Sequence, residues 1–568
     1  MKGIVAAKGM ALATAHILKE PDIVVEKYLV DDSSYELTRL RNAISDCHDQ
    51  IEQLISENED SIDAQTVEIL DFQLLILEDT DFIKKIETII IEENLNAEYA
   101  VESASNEYIE FLKNLQDNAY LSERASDIAD LVYRILSVLM GIQTEEIEPN
   151  QPYIAIGVDI APSLIASLDK GRLKGIILEK GGITSHCVIL SRSLGIPCLI
   201  NTDGILNRIK GGEQVFLDAI SGKAFVEPND ECIQSYFEYV AEDAKEKEEL
   251  KAYIHCDSRT IDGVEVKIFA NISTESEAQE AVHSGCEGVG LFRTELLYMA
   301  QTHLPPSEEK QYAEYSETAR VLGDRPLVIR TLDIGGDKQI GYMKIEEEEN
   351  PFLGYRAVRY CLDNPEIFKP QIAAILRAGV KGNVWIMFPM ITNKTEIQRA
   401  KQLVEEVKTE LAAQGKQFST DMKIGMMIET PAAAFDAKMF AKEVDFFSIG
   451  TNDLSQYLFA ADRTNSRLAY LNSHYQPTLL RMMNQVIKSA KEAGIEVDIC
   501  GQAAEVDNLV PLWVAMGVDN LSVSIPRIPS VRKRVCELNK LECEVLLNDI
   551  MRLDTADEVE HMLDKFIN

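Results

Sequence analysis

Eight short apolar runs, each followed by a stretch of helical pattern, occupy the chain from residue 262 onward, and they constrain its fold more than any other feature. The runs are EVKIFANI, GVGLFRTE, PLVIRTLDIG, NVWIMFPMI, KIGMMIET, FFSIGTND, EVDICGQ and NLSVSI. Eight βα repeats over about 270 residues predict a (β/α)8 TIM barrel. The placement of polar residues points the same way. Arg293, Arg330, Glu429, Asn452 with Asp453, and Cys500 each fall at the end of a different run. In a barrel the carboxyl ends of all the strands gather on one face, where active sites are built.

The rest of the chain has two other textures. At roughly 150 residues per domain, 568 residues imply about three to four domains. Residues 31–143 carry apolar residues at three and four spacing with few Gly or Pro, which predicts a helical bundle. Residues 152–227 instead show short apolar runs separated by Gly, the pattern of strands alternating with short helices. The opening GIVAAKGMALATAHIL also reads as strand. The expected organisation is therefore a small α/β domain made of residues 1–30 and 144–229, with the helical domain of 31–143 inserted in it. A charged, solvated connecting helix follows over 230–261, and the barrel occupies 262–568. The whole is a multidomain α/β chain.

With 46% hydrophobic and 26% charged residues, disorder is excluded as the dominant state. The formal net charge of −38 repels a phosphate backbone, so nucleic acid is excluded as partner; small ligands, bound metal or a basic partner protein remain. No window of 18 apolar residues suggests a membrane span, and the N-terminus has no apolar core of a secretion signal. Ten scattered cysteines without a CxxC pair fit reduced thiols and a cytoplasmic location. No GxxxxGK[ST] loop is present, so phosphate chemistry here would draw on a donor other than a nucleotide held by one.

Several cations converge on the expected barrel mouth. Arg293 and Arg330 end strands, Arg463 follows the sixth run, and Lys338 and Arg356 lie in the loop after the third. Each could be a surface ion pair; together they suit an anionic ligand held by forked hydrogen bonds. Glu429 and Asp453 supply two hard oxygen ligands from neighbouring strands, as a Mg²⁺ site requires, although they could merely pair with the arginines. Cys500 is either inert core or a proton donor at the mouth. In GGITSHCVILSRSLGIP, Thr184 or Ser185 caps a short helix and puts His186 at its N-terminus. There the dipole favours neutral imidazole and an anionic phosphoryl group, while a structural role in a Gly-rich turn is the alternative.

GGITSHCVILSRSLGIP, GLFRTELLYM, IRTLDIGGDK, NPFLGYRAVR, IGMMIETPAA, FSIGTNDLSQY and the Cys-Gly of ICGQ, in that order along almost the whole chain, resemble the Enzyme I family, the phosphoenolpyruvate-protein phosphotransferases of bacterial phosphotransferase systems. The resemblance implies that His186 accepts the phosphoryl group of phosphoenolpyruvate on its distal nitrogen. It implies that Arg293, Arg330 and Arg463 hold phosphate and carboxylate with help from Asn452, that Glu429 and Asp453 bind Mg²⁺, and that Cys500 protonates the enolate to give pyruvate. The helical block would dock a small histidine phosphocarrier protein, in the first step of sugar phosphotransfer, and the barrel would form a homodimer. Three places depart from the family pattern: Ala7-Lys8-Gly9 in place of Ser-Pro-Gly, Gln502 in place of Glu, and Phe72-Gln73 in place of a small residue and His on the docking helix. The last leaves room for a different carrier in a regulatory phosphorelay; a phosphoenolpyruvate sensor without turnover is a further alternative.

Overall fold

A computed structural model describes the chain except residues 19–22, 58–63, 115–118, 143–150, 159, 161–163, 165–167, 170, 182–186, 189–190, 192–194, 302–303, 336–339, 344, 347, 464, 469 and 568. The first strands are β1 (Ile4–Ala7) and β2 (Met10–Ile17). After the helical block come β3 (Tyr153–Gly157), β4 (Leu173–Leu178), β5 (Cys198–Ile200), β6 (Gln214–Asp218) and β7 (Lys223–Val226). These seven strands form one sheet in the order β1-β5-β4-β3-β2-β6-β7. Strands β2 to β5 pair in parallel, and β1, β6 and β7 join antiparallel at the two sides. Alternation along β3 sends Tyr153 and Ala155 into a core with Ile176 and Leu178, and Ile154 and Ile156 into a second core with Val215 and Leu217. Both faces are covered, which is why this strand is apolar throughout.

Between β2 and β3 the described residues form five helices: α1 (Ser33–Glu57), α2 (Ala64–Glu78), α3 (Thr80–Glu93), α4 (Ala97–Asn114) and α5 (Ala119–Met140). They share a core that includes Leu40, Ile51, Leu70, Ile86, Ile90, Val101, Leu131 and Ile135. The Asp79 side chain accepts the N–H groups of Asp81 and Phe82 to start α3, and Asn94 in the left-handed region (φ 50°) ends it. Arg39 on α1 pairs with Glu36 one turn earlier and with Glu98 on α4, fastening the two helices. Helix α6 (Asp230–Lys251) buries no residue, as expected of a solvated connector.

The chain divides into two compact units, Met1–Ala244 and Lys245–Asn568. The second starts ahead of residue 262 for a local reason. Arg532, 1% exposed, donates to the carbonyls of Tyr253 and Ile254 at 2.8 and 2.9 Å and to Ser258 Oγ at 2.9 Å. Residues 253–258 are thereby tied to the helix Ile528–Glu537 near the end of the chain.

The second unit is a closed parallel barrel of β8 (Lys267–Ile272), β9 (Val289–Arg293), β10 (Leu327–Arg330), β11 (Val384–Phe388), β12 (Ile424–Ile428), β13 (Phe446–Ile449), β14 (Glu496–Ile499) and β15 (Asn520–Val523), with β15 paired to β8. The eight runs read from the sequence are these eight strands. Leu291, Val328, Trp385, Met387, Met427, Phe446 and Cys500 form an interior layer. The alternate residues, among them Phe292, Ile329, Ile386, Ile428, Phe447 and Ile449, face the surrounding helices in the larger core. The final residues carry no recognisable motif, yet they form the helix Ala556–Ile567, which buries Val559 and Leu563. Among the described residues no helix is long and apolar enough to cross a membrane.

Candidate active site

The period of two along a strand explains how the mouth is furnished. Leu291, Val328 and Met427 belong to the interior layer; two residues further on, the same face of each strand presents Arg293, Arg330 and Glu429 at the carboxyl end. Asn452 and Asp453 open the helix Thr451–Phe459 directly after β13, and Cys500 directly follows β14. Gly501 is required at the turn beyond it, because a Cβ there would fall 1.8 Å from Thr451 Oγ1. The same turn lets the Gln502 N–H donate to Asn452 Oδ1 at 3.1 Å, which fixes the amide of Asn452, while the Gln502 side chain is exposed.

The cations are held differently from one another. Arg330, 7% exposed, pairs with Glu295 at 2.8 Å and Asp333 at 3.0 Å. Arg356, 4% exposed, pairs with the other Asp333 oxygen at 2.9 Å, lies 3.6 Å from Asp453, and donates to Tyr457 Oη at 3.1 Å. Asp333 thus braces two guanidiniums, and both stay charged because their buried carboxylate neighbours outweigh the desolvation that opposes it. The ion-pair alternative therefore applies to Arg330 and Arg356. Arg293 is exposed at the mouth and makes no hydrogen bond or ion pair with any described residue. Arg463 lies 3.9 Å from Asp453, and it and Arg356 flank the ring of Phe352 at 6.0 Å each. Lys338 lies outside the described residues, as do Thr184, Ser185 and His186.

Glu429 is 1% exposed; its Oε1 accepts the Met390 N–H at 2.6 Å, and its Oε2 has no hydrogen-bond partner among the described residues. Asp453 Oδ1 is also buried without a hydrogen bond to a described residue, 3.6 Å from Arg356 and 3.9 Å from Arg463. Burial, then repulsion from Asp453 and Asp333, raises the Glu429 pKa against the pull of Arg330 and Arg356. Two hard carboxylate oxygens that accept no hydrogen bond from a described residue, in a site that resists further negative charge, fit a divalent cation. Cys500 is 4% exposed, with its thiol 3.6 Å from the Ile449 carbonyl. Burial, followed by the nearby Asp498, pushes its pKa up to about 12, so it stays a neutral S–H at physiological pH and can give a proton.

Glu295, Asp333, Tyr457 and Phe352 were not singled out from sequence. The first two sit two or three residues after a strand-end Arg, in GLFRTELL and IRTLDIGG, and that spacing was the available signal. On the helical block, Phe72 is half-buried against the bundle core, and Gln73 is fully buried, its Nε2 donating to Asp130 Oδ2 at 2.8 Å and to the Asp127 carbonyl at 3.2 Å. Gln73 ties α2 to α5.

Three family profiles match in chain order: PEP-utilising enzyme, N-terminal, over residues 2–124; PEP-utilising enzyme, mobile domain, over 149–222; and PEP-utilising enzyme, PEP-binding domain, over 247–540. With the barrel and its charged mouth, they define the class as phosphoenolpyruvate-utilising enzymes. The chain is 38% identical to the phosphoenolpyruvate-protein phosphotransferase of Staphylococcus carnosus, covering 100% of this chain and 99% of that one. It is also 38% identical to the proteins of that name from Priestia megaterium, over 98% of this chain and 97% of the relative, and from Geobacillus stearothermophilus, over 98% and 96%. The chain belongs to the phosphoenolpyruvate-protein phosphotransferase family.

Proposed function

We propose that the chain moves a phosphoryl group from phosphoenolpyruvate to the distal ring nitrogen of His186, and from there to a histidine of a small phosphocarrier protein. The observation that carries this reading is the meeting, at one barrel mouth, of Arg293, whose guanidinium has no hydrogen bond or ion pair with a described residue, with buried oxygens of Glu429 and Asp453 that accept no hydrogen bond from a described residue. Among the described residues, Arg293, Arg330, Arg356 and Arg463 gather there with Glu295, Asp333, Glu429 and Asp453. Glu429 and Asp453 would hold a divalent ion, Mg²⁺, which when bound would supply positive charge to the phosphate oxygens.

The arginines, with Asn452 and Lys338, fix phosphate and carboxylate so that His186 can attack in line. The bond from phosphorus to the enol oxygen breaks, its electron pair stays with the enolate, and the Cys500 S–H proton goes to the methylene carbon, giving pyruvate and a thiolate. The covalent histidine stage divides one transfer into two. We place this activity in the cytoplasm, in a homodimer formed through the barrel, as the first step of sugar phosphotransfer. Incubation with radiolabelled phosphoenolpyruvate and Mg²⁺ should give an acid-labile, base-stable phosphate on the native protein and none on His186→Ala. Undiminished labelling of that variant would move the nucleophile elsewhere.

A further inference from the structure

Four residues after Asp453, on the same face of the helix Thr451–Phe459, stands Tyr457, to which the phosphoryl chemistry gives no task. Its hydroxyl donates to the Phe352 carbonyl at 2.5 Å, so toward Arg356 it is an acceptor, meeting Nη1 at 3.1 Å. The other terminal nitrogen of Arg356, Nη2, donates to Asp333 at 2.9 Å. Two anchored nitrogens fix the plane of a rigid guanidinium. The backbone beneath it is fixed as well. The Ala357 N–H donates to the Ile334 carbonyl at 3.0 Å, and Gly335 passes so close that a Cβ there would fall 2.4 Å from Arg356 Cβ. Phe352, whose carbonyl orients the tyrosine hydroxyl, belongs to the short turn Pro351–Leu353 in the loop after β10. Tyr457 thus ties that loop to the helix that carries Asp453.

The consequence falls on Asp453. Its Oδ1 is buried, with Arg356 Nη1 3.6 Å away and the more exposed Arg463 Nη1 3.9 Å away. Opposite charges this near, in a poorly screened site, attract strongly and close to about 2.7–2.9 Å when free to do so. Neither arginine has closed, and Asp453 Oδ1 accepts no hydrogen bond from a described residue. For Arg356 the restraint is visible: the nitrogen nearest Asp453 is the one that Tyr457 engages.

We propose that Tyr457, oriented by Phe352, is a positioning residue that holds Arg356 off Asp453 and so leaves Asp453 Oδ1 to the divalent cation. Without the hydroxyl, Arg356 Nη1 loses its neutral acceptor and moves the remaining distance onto Asp453. The cation must then displace a guanidinium to bind.

The proposal rests on Glu429 and Asp453 holding the ion, and the test separates the two. Mn²⁺, which shares the octahedral oxygen preference of Mg²⁺, is titrated into the full-length protein, and the free ion is followed by electron paramagnetic resonance. Tyr457→Phe keeps the ring and should melt within about 4 °C of native, yet bind Mn²⁺ roughly tenfold more weakly. Arg356→Met removes the competing cation, so adding Tyr457→Phe to it should change Mn²⁺ affinity by less than about twofold. A merely structural role would weaken binding equally in both backgrounds. That result, or native affinity in Tyr457→Phe alone, overturns the proposal and leaves the carboxylate site standing. Glu429→Gln should abolish the binding. Native affinity in that variant, or no Mn²⁺ uptake by the native protein, would remove the carboxylate site and the proposal with it.

Discussion

Asp333 shows how much of the site depends on partners distant in sequence. Its two oxygens serve Arg330, three residues back, and Arg356, 23 residues on, while Glu295 reaches Arg330 from 35 residues away. The positions of Arg293, Arg330, Glu429 and Cys500 were legible in the sequence because each ends an apolar run. The charge balance among them was not, because pairing across strands is a property of the closed barrel. Five cations read as converging on an anion, with an ion pair the alternative for each; Arg330 and Arg356 are engaged by buried carboxylates and Arg463 lies 3.9 Å from Asp453, and the buried pairs hold the forks of Arg330 and Arg356 in place before substrate arrives. Neutralising Asp333 would leave two buried guanidiniums short of a counter-charge, a change that typically costs about 3–5 kcal/mol. Asp333→Asn should therefore lower the denaturant midpoint markedly, whereas Arg293→Ala, which breaks no ion pair with a described residue, should leave stability within about 0.5 kcal/mol while weakening phosphoenolpyruvate binding. Equal stability of Asp333→Asn and native protein would show that Asp333 is not the brace the distances describe.

At the scale of elements, strands were easier to place than helix faces. The barrel runs are buried on both sides, so their apolarity alone locates them. Helix α2, AQTVEILDFQLLILE, is apolar around most of its circumference, and its period does not say which side is inward. The structure buries Gln73 completely and leaves Leu75 64% exposed, the reverse of what residue polarity suggests. The pairing of Gln73 with Asp130 and the Asp127 carbonyl explains it: a polar side chain can be buried where its donors are met. Gln73 therefore shapes the α2–α5 interface, and a partner would feel it only through the helix it positions. Gln73→Ala should destabilise the protein by about 1–3 kcal/mol by removing two hydrogen bonds from a buried interface, readable as a lower urea midpoint. The rate of phosphoryl transfer to a histidine carrier, measured below the unfolding transition, should stay within about twofold. A large loss of transfer with unchanged stability would instead assign Gln73 to carrier recognition.

For the whole molecule, the division of the chain matters more than any one contact. The two units part inside α6, so a cut near Ala244 falls in a helix that contributes no buried residue. That solvated texture was readable from the run of charged residues, whereas the attachment of residues 253–258 to the barrel was not, since it is made by Arg532 nearly 280 positions away. His186 belongs by sequence to the first unit, and the charged mouth with Cys500 to the second, so the proposed chemistry needs both. A fragment of residues 1–244 should remain folded, keep the sheet and the helical block, and exchange phosphate with a phosphorylated histidine carrier. It should take none from phosphoenolpyruvate, because it lacks every group that would orient the donor or protonate the leaving enolate. The complementary fragment, 245–568, should bind phosphoenolpyruvate in the presence of Mg²⁺ and release no pyruvate by phosphoryl transfer, having no histidine at the TSH position. Calorimetry would follow the binding, and radiolabel the transfer. Direct labelling of the first fragment from phosphoenolpyruvate would place a complete donor site within residues 1–244, and the barrel mouth would then need another explanation for its paired arginines and unsatisfied carboxylates.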